Sequence, residues 1–237
     1  MKQELRRETG KSGRQRLMDA ALRLSGRTRS LHALGIRELA REAGLNPNTF
    51  YRHFRDLDEL GLAVLEDIFT ALREPLRQLR REAAESVLTE YPSLPANPAP
   101  AVQLEILEAV VGRSVERYFE FATRHPDAFI VGARELSGPS PVLRDAIRGA
   151  MGTLARDLAA DFRDVPLPQM LDDATLGELS WFVIRQTFDE SLDYLEHPEQ
   201  RPLICRRLSS QIVMMVVGGA VLRGDRQGGQ LSSLASS

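Results

Sequence analysis

Apolar side chains recur at every third or fourth position along most of the chain, and no run alternates with a period of two. Such spacing lines one face of a helix, so the sequence predicts an all-α fold. Leu17, Ala21 and Leu24, with Met18 and Leu22 beside them, predict a first helix from about Ser12 to Leu24. Ile36, Leu39, Ala40 and Ala43 fall at i, i+3, i+4 and i+7 and predict a short second helix, with Gly44 supplying the backbone freedom to end it. Asn46 and Pro47 are a good N-cap and first residue for a third helix, in which Pro47, Phe50, Tyr51 and Phe54 repeat the spacing. Short helices joined through a few residues with a glycine make a helix-turn-helix. Asp56 and Glu59 predict a capping box for a fourth, longer helix that turns Leu57, Leu60, Val64 and Ile68 inward, and Pro75 is expected to kink or end it.

The helical period returns after an interruption. The stretch 91–101, YPSLPANPAPA, holds four prolines and predicts a linker or insertion. Further helices are expected over 102–124, from Pro126 to about Leu136, from Pro141 through Leu143, Ile147, Met151, Leu154, Leu158 and Phe162, from Asp172 or Asp173 to about Leu195, and over about 203–222. Pro198 and Pro202 punctuate the chain before the last of these. The domain plan is a disordered arm over 1–10, a helix-turn-helix domain over 11–70, a helical bundle over 71–223 and a disordered tail over 224–237.

Charge changes this picture. The net charge of −2 conceals 13 Lys+Arg against 5 Asp+Glu in residues 1–55, a balance of +8, and 18 against 28 in the rest, a balance of −10. A basic front end on an acidic body is what a chain shows when one end meets a polyanion. The single cysteine, Cys205, excludes an intramolecular disulfide and fits a reducing cytoplasm. The start of the chain lacks the apolar core of a signal peptide, and the longest apolar run, 212–222, is far short of the ~20 residues that span a bilayer.

In the third helix the apolar set faces the other helices, and Asn48, Thr49, Arg52 and His53 are pushed outward from a rigid platform. These are donors and acceptors of the sizes that reach base edges and phosphates. A helix entering the major groove leads with its N-terminal residues, here Pro47, Asn48 and Thr49, and its free N–H groups favour a nearby phosphate. An enzyme would need a nucleophile with its base, a metal cluster or a phosphate loop. The four histidines are scattered, and no glycine-rich phosphate loop or GxSxG occurs, so no catalytic residue, metal or cofactor is assigned. A membrane-surface bundle would need an exposed apolar stripe that NPNTFYRHF lacks.

LGIRELAREAGLNPNTFYRHFRDLDELGLAVLEDI, residues 34–68, resembles the DNA-binding domain of the TetR family of bacterial repressors. The Ile-Arg-x-Leu-Ala helix, the Ala-Gly turn and the Tyr-x-His-Phe ending carry the likeness. It implies a fold of about nine or ten helices, DNA binding at the N-terminus, and a larger C-terminal block that dimerises and holds a small effector. By the resemblance, Asn48 and Thr49 read bases, Tyr51 and His53 grip phosphates, and Arg37 contacts the backbone; Asn46, Pro47 and Arg52 complete the DNA face. Gly35 stands where many relatives cap the second helix with Ser or Thr. Leu57 stands where many carry a phosphate-binding Lys, a role Arg55 is placed to take over. Tyr51 also lies on the apolar face, so its ring is expected to pack and its hydroxyl to point outward.

RHFRDLDELGL together with YFEFATRHPDAFIVGARELSGPSPVLRDAI, 118–147, is similar to the unsaturated-fatty-acid repressors of that family, which bind long-chain acyl-CoA or acyl-carrier thioesters. The likeness implies an apolar effector, in the first place a long-chain acyl-CoA governing fatty-acid genes; a drug or another hydrophobic metabolite is the alternative. Phe119, Phe129, Met151, Trp181, Phe182 and Phe188 are candidate lining residues, with Val110, Phe121 and Leu154 nearby in pattern. Arg134 and Arg185, then Arg144 and Arg148, are candidates for an anionic head group. The last long helices are expected to form a homodimer, Val213, Val216 and Val217 giving apolar area while Gly218, Gly219 and Ala220 allow close approach, so that two reading helices meet a palindromic operator.

Overall fold

The computed structural model describes residues 12–27, 30–95, 98–163 and 171–228. In chain order they form α1 (Gly13–Arg27), α2 (Ile36–Glu42), α3 (Leu57–Leu88), α4 (Pro100–Arg124), α5 (Pro126–Leu136), α6 (Pro141–Arg163), α7 (Asp173–Glu196) and α8 (Arg201–Gly228). Short 3-10 helices stand at Leu31–Ala33, Pro47–Arg52 and Pro198–Gln200. Among the described residues there is no strand, as the all-α reading expects. The arm over 1–10 and the tail beyond Gly228 lie outside the described residues.

The chain divides into two units, residues up to Arg73 with Ala122–Ala150, and Glu74–Phe121 with Met151 onward. The expected plan left 122–150 with the C-terminal bundle. They belong instead with the N-terminal helices, because α5 buries Phe129, Val131 and Gly132 and packs on α1, which offers the buried Leu17, Ala20 and Ala21. Small residues at such a crossing let helix axes approach closely.

Several element ends differ from expectation for local reasons. α3 continues past Pro75 to Leu88, with Leu72, Leu76 and Leu79 buried on either side of it. One lost backbone bond is outweighed by that burial, at roughly 1.5–3 kcal/mol per leucine. α4 starts at Pro100, since proline fits a first helical turn, and the Gln103 side chain donates to the Pro98 carbonyl at 2.6 Å. Pro202 sits inside the first turn of α8 rather than before it. There Arg201 donates from Nε to the Tyr194 carbonyl at 3.0 Å and lies over the Tyr194 ring. At the other end α8 continues to Gly228, so 224–228, expected in the tail, are helical.

The second unit has its own core of Leu107, Val111, Val115, Phe119, Leu176, Tyr194, Ile204, Leu208, Ile212 and Val216, in which Phe119 stacks on Tyr194 at 4.2 Å. Tyr118 shares a hydrogen bond of 2.9 Å with Ser191 Oγ, and burial pushes its phenol far above the usual range. The segment Pro198–Leu222 is, by length and composition only, long and apolar enough to cross a membrane, with mean hydropathy 1.3. That window is wider than the run 212–222 read from sequence. Its Ile204, Leu208, Ile212 and Val216 fill the unit's interior, while 22% of the window as a whole is buried.

Candidate nucleic-acid interface

The turn between α2 and the reading segment is built by one glycine. Gly44 has φ +63°, a conformation in which L side chains are strained. It lets the Leu45 N–H reach the Ala40 carbonyl at 2.8 Å and the Gly44 N–H reach Arg41 at 3.0 Å, closing the end of α2. Arg16 of α1 donates from Nη2 to the Gly44 carbonyl at 3.1 Å and ties the turn to the first helix. Asn46 then caps as expected, its side chain accepting the Asn48 N–H at 2.9 Å. The Thr49 N–H goes to the Asn46 carbonyl at 2.8 Å. These two N–H groups are therefore spent within the segment, and the expected free donors for a phosphate are not available there.

The reading segment is a six-residue 3-10 helix, Pro47–Arg52, not an α-helix. Three residues per turn rather than 3.6 change which side chains share a face. Phe50 is 0% exposed and Phe54 2% exposed, their rings 5.9 Å apart. Tyr51 is turned away and is 65% exposed, touching Phe50 only by an edge contact. The expectation that its ring packs inside is corrected: ring and hydroxyl are both presented outward. Pro47, also assigned inward, is exposed. Asn46, Asn48 and Arg52 are exposed, and Thr49 is half-buried. His53 is half-buried because its ring lies against α1, where a Cβ on Gly13 would come 2.7 Å from Nε2. Arg37 is exposed on α2.

The capping box of α3 is half formed. The Glu59 N–H donates to Asp56 Oδ1 at 2.8 Å, but the Glu59 carboxylate reaches one residue further back. It accepts the Arg55 N–H at 2.7 Å and Arg55 Nε at 3.0 Å, which hold it below the usual carboxylate range. Arg55 remains 86% exposed and projects beside the reading segment.

Residues 17–64 match the sequence model of the family described as bacterial regulatory proteins, tetR family. Residues 17–64 form a tetR-type domain. The solved structures similar to the chain agree in fold. A fatty acid degradation regulator, FadR, from Bacillus halodurans has 14% identity and a TM-score of 0.55, covering 88% of this chain and 96% of that one. FadR from Thermus thermophilus, a TetR-family transcriptional repressor in complex with lauroyl-CoA, has 22% identity and a TM-score of 0.50 over 87% and 94%. FadR from Bacillus subtilis in complex with stearoyl-CoA has 15% identity and a TM-score of 0.50 over 86% and 98%.

The residues expected around an effector are divided between the two units. Phe119, Met151 and Phe188 are buried in the second unit. Trp181 is half-buried beside Gly152, whereas Phe182 is 47% exposed and Arg185 is exposed, 3.9 Å from Asp189. Phe129 and Arg134 lie in the first unit, and Arg134 donates from Nη1 to the Ser25 carbonyl at 3.0 Å. Arg144 donates to the Gly138 carbonyl and Arg148 to Asp145 at 3.2 Å. Helical spacing turned Phe119, Phe129, Met151 and Phe188 inward, as they are, but misplaced Phe182, and it did not say which helix each would meet.

The expected dimer residues are also redistributed. Val216 is buried in its own chain's core, and Val213, Val217 and Ala220 pack against it. A Cβ at Gly219 would stand 2.9 Å from Leu171 and 3.3 Å from Thr175, so this glycine serves an internal contact. Gly218 has nothing within 4 Å, and the exposed apolar side chains of α8 are Leu203, Met214, Val221 and Leu222. Two structural carboxylates went unread in the sequence, Glu135 and Asp161. Each falls on the apolar face of its helix, and that mismatch was the available signal.

Proposed function

We propose that this chain is a TetR-family repressor that binds a palindromic operator as a homodimer and is controlled by a small apolar effector, in the first place a long-chain acyl-CoA. One observation carries the DNA reading. Phe50 and Phe54 seat a short helix from which Asn48, Tyr51 and Arg52 project together, at the basic end of the chain. In this reading Asn48 and Thr49 meet base edges, and Tyr51, Arg52, His53, Arg37 and Arg55 meet phosphates. Asn46 and Pro47 hold the entry of the segment. The exposed Met214, Val221 and Leu222 on α8, with the half-buried Gly218 beside them, provide an apolar patch for a second copy, and two reading segments then face successive turns of duplex, about 34–36 Å apart or somewhat more.

Tyr51→Ala should weaken binding to all duplexes while leaving the slope of the salt dependence as it is, since a phenol displaces no counterion, with the fold intact because the ring is exposed. Filter or fluorescence titrations across a salt series read both. Equal affinity in the variant would remove Tyr51 from the phosphate contacts.

The acyl-CoA reading is supported by the fold shared with regulators crystallised with stearoyl-CoA and lauroyl-CoA. Long-chain acyl-CoA is expected to change operator affinity roughly 5–150-fold, as a coupling of roughly 1–3 kcal/mol does. A second reading, an uncharged hydrophobic ligand, is favoured by the arginines: Arg134, Arg144, Arg148 and Arg185 each have a partner in their own chain. A response to neutral hydrophobic compounds with none to acyl-CoA would select that reading.

A further inference from the structure

Glu135, on the last turn of α5, is fully buried. Its Oε1 accepts the Leu31 backbone N–H at 2.5 Å, across 104 residues of sequence. Its Oε2 is buried without a hydrogen-bond partner. A carboxylate in that position is costly when ionised, and a proton on it removes the cost. Burial does push this carboxyl above the usual range; the Leu31 N–H and His32 oppose the shift, and Asp58 adds to it.

The neighbours of Glu135 come from every part of the first unit. Asp58, on the first turn of α3, accepts from Ser140 Oγ at 2.8 Å and lies 3.4 Å from His32 Nδ1 in the Leu31–Ala33 turn. Ser140 also accepts the Leu143 N–H at 3.3 Å and so caps α6. His32 and Asp58 are the charged groups acting on Glu135. Arg134 on α5 is bonded to the Ser25 carbonyl of α1, and Arg144 on α6 to the Gly138 carbonyl. On the side of its own turn the carboxylate is closely approached: a Cβ on Gly138 would stand 2.8 Å from Glu135 Oε2.

We propose that Glu135 is a proton-operated clasp between α5 and the connection that leads into α2. With its carboxyl neutral it holds Leu31; with the carboxyl ionised beside Asp58, the connection loosens. Leu31 lies five residues before Ile36, where α2 begins, so loosening it withdraws support from the reading segment. A group whose folded-state value is raised stabilises only while it keeps its proton. The stability is complete below the ordinary carboxyl value and is lost as pH rises through the raised one. Operator binding should therefore weaken over the same interval. That last step rests on the DNA-binding reading, and the clasp does not.

The test is hydrogen exchange at the Leu31 amide in the full-length protein, from about pH 5 to about pH 8, corrected for intrinsic base catalysis. In the wild type, protection should fall about tenfold per pH unit between the ordinary carboxyl value and that of Glu135, then level off. Glu135→Gln keeps the acceptor for Leu31 and cannot ionise, so its corrected profile should be flat. Asp58→Asn removes the like charge, so protection should level off at a lower pH than in the wild type, and this variant serves if the first fails to fold. A flat wild-type profile, or an unshifted one in Asp58→Asn, overturns the clasp. If the profiles behave as stated but no operator is bound at any pH, the clasp stands and the DNA reading fails.

Discussion

Phe50→Ala is expected to lower the stability of the first unit by about 3–5 kcal/mol and to abolish operator binding. The side chain is fully buried, with Phe54 at 5.9 Å and the Tyr51 edge at 5.4 Å, under a 3-10 helix that packs on α1 and α2. Six residues of 3-10 helix hold few backbone bonds of their own, so the anchor decides whether the polar face exists. Phe50→Leu keeps most of the volume and should cost less than about 1.5–2 kcal/mol. Amide exchange over residues 36–60 separates the outcomes. Tyr51→Ala should leave those amides as protected as in the wild type, whereas Phe50→Ala should release them. Wild-type protection in Phe50→Ala would mean the platform is held by something other than this ring.

Asp161→Ala should damage the second unit as severely. Asp161 is 5% exposed and is the hub of three arginines. Arg80 binds Oδ2 at 2.6 Å, Arg77 binds Oδ1 at 3.2 Å, and Arg81 lies at 3.8 Å. The carboxylate raises both of its closest partners, and burial decides the net direction. The hydrogen bond to Asp161 raises Arg77, which sits near water, while burial pulls the deeper Arg80 down despite that carboxylate. Removing Asp161 leaves a buried guanidinium uncompensated, a loss of about 3–5 kcal/mol, or about 6–20 °C in melting temperature for a protein of this size. Asp161→Leu combined with Arg80→Met removes both charges and should recover much of it. Thermal unfolding of the wild type and the two variants reads this directly. A double variant no more stable than Asp161→Ala would show that Arg77 and Arg81, not Arg80, depend on the carboxylate.

Much of the architecture was legible because helical period, caps and glycine act locally. The spacing of Ile36, Leu39 and Ala40 determines α2, Gly44 its end and Asn46 the start of the next segment, each from interactions spanning only a few residues. The same locality made the family motif readable over residues that the family match also covers. It could not say that the reading segment winds as a 3-10 helix. A difference of 0.6 residue per turn is invisible in six residues, yet it moves Tyr51 from the core face to the outside.

What tertiary structure alone decided is which faces meet. Val216 and Gly219 read from sequence as a surface for a second copy, and the fold uses both inside one chain while leaving Met214 and Val221 uncovered. Arg134 read as a head-group ligand, and the packing of α5 on α1 gives it the Ser25 carbonyl instead. Glu135 and Leu31 are joined across 104 residues. A periodic pattern records that a side chain turns away from water, and it carries no record of the partner, because burial is rewarded by area removed from solvent whichever helix removes it.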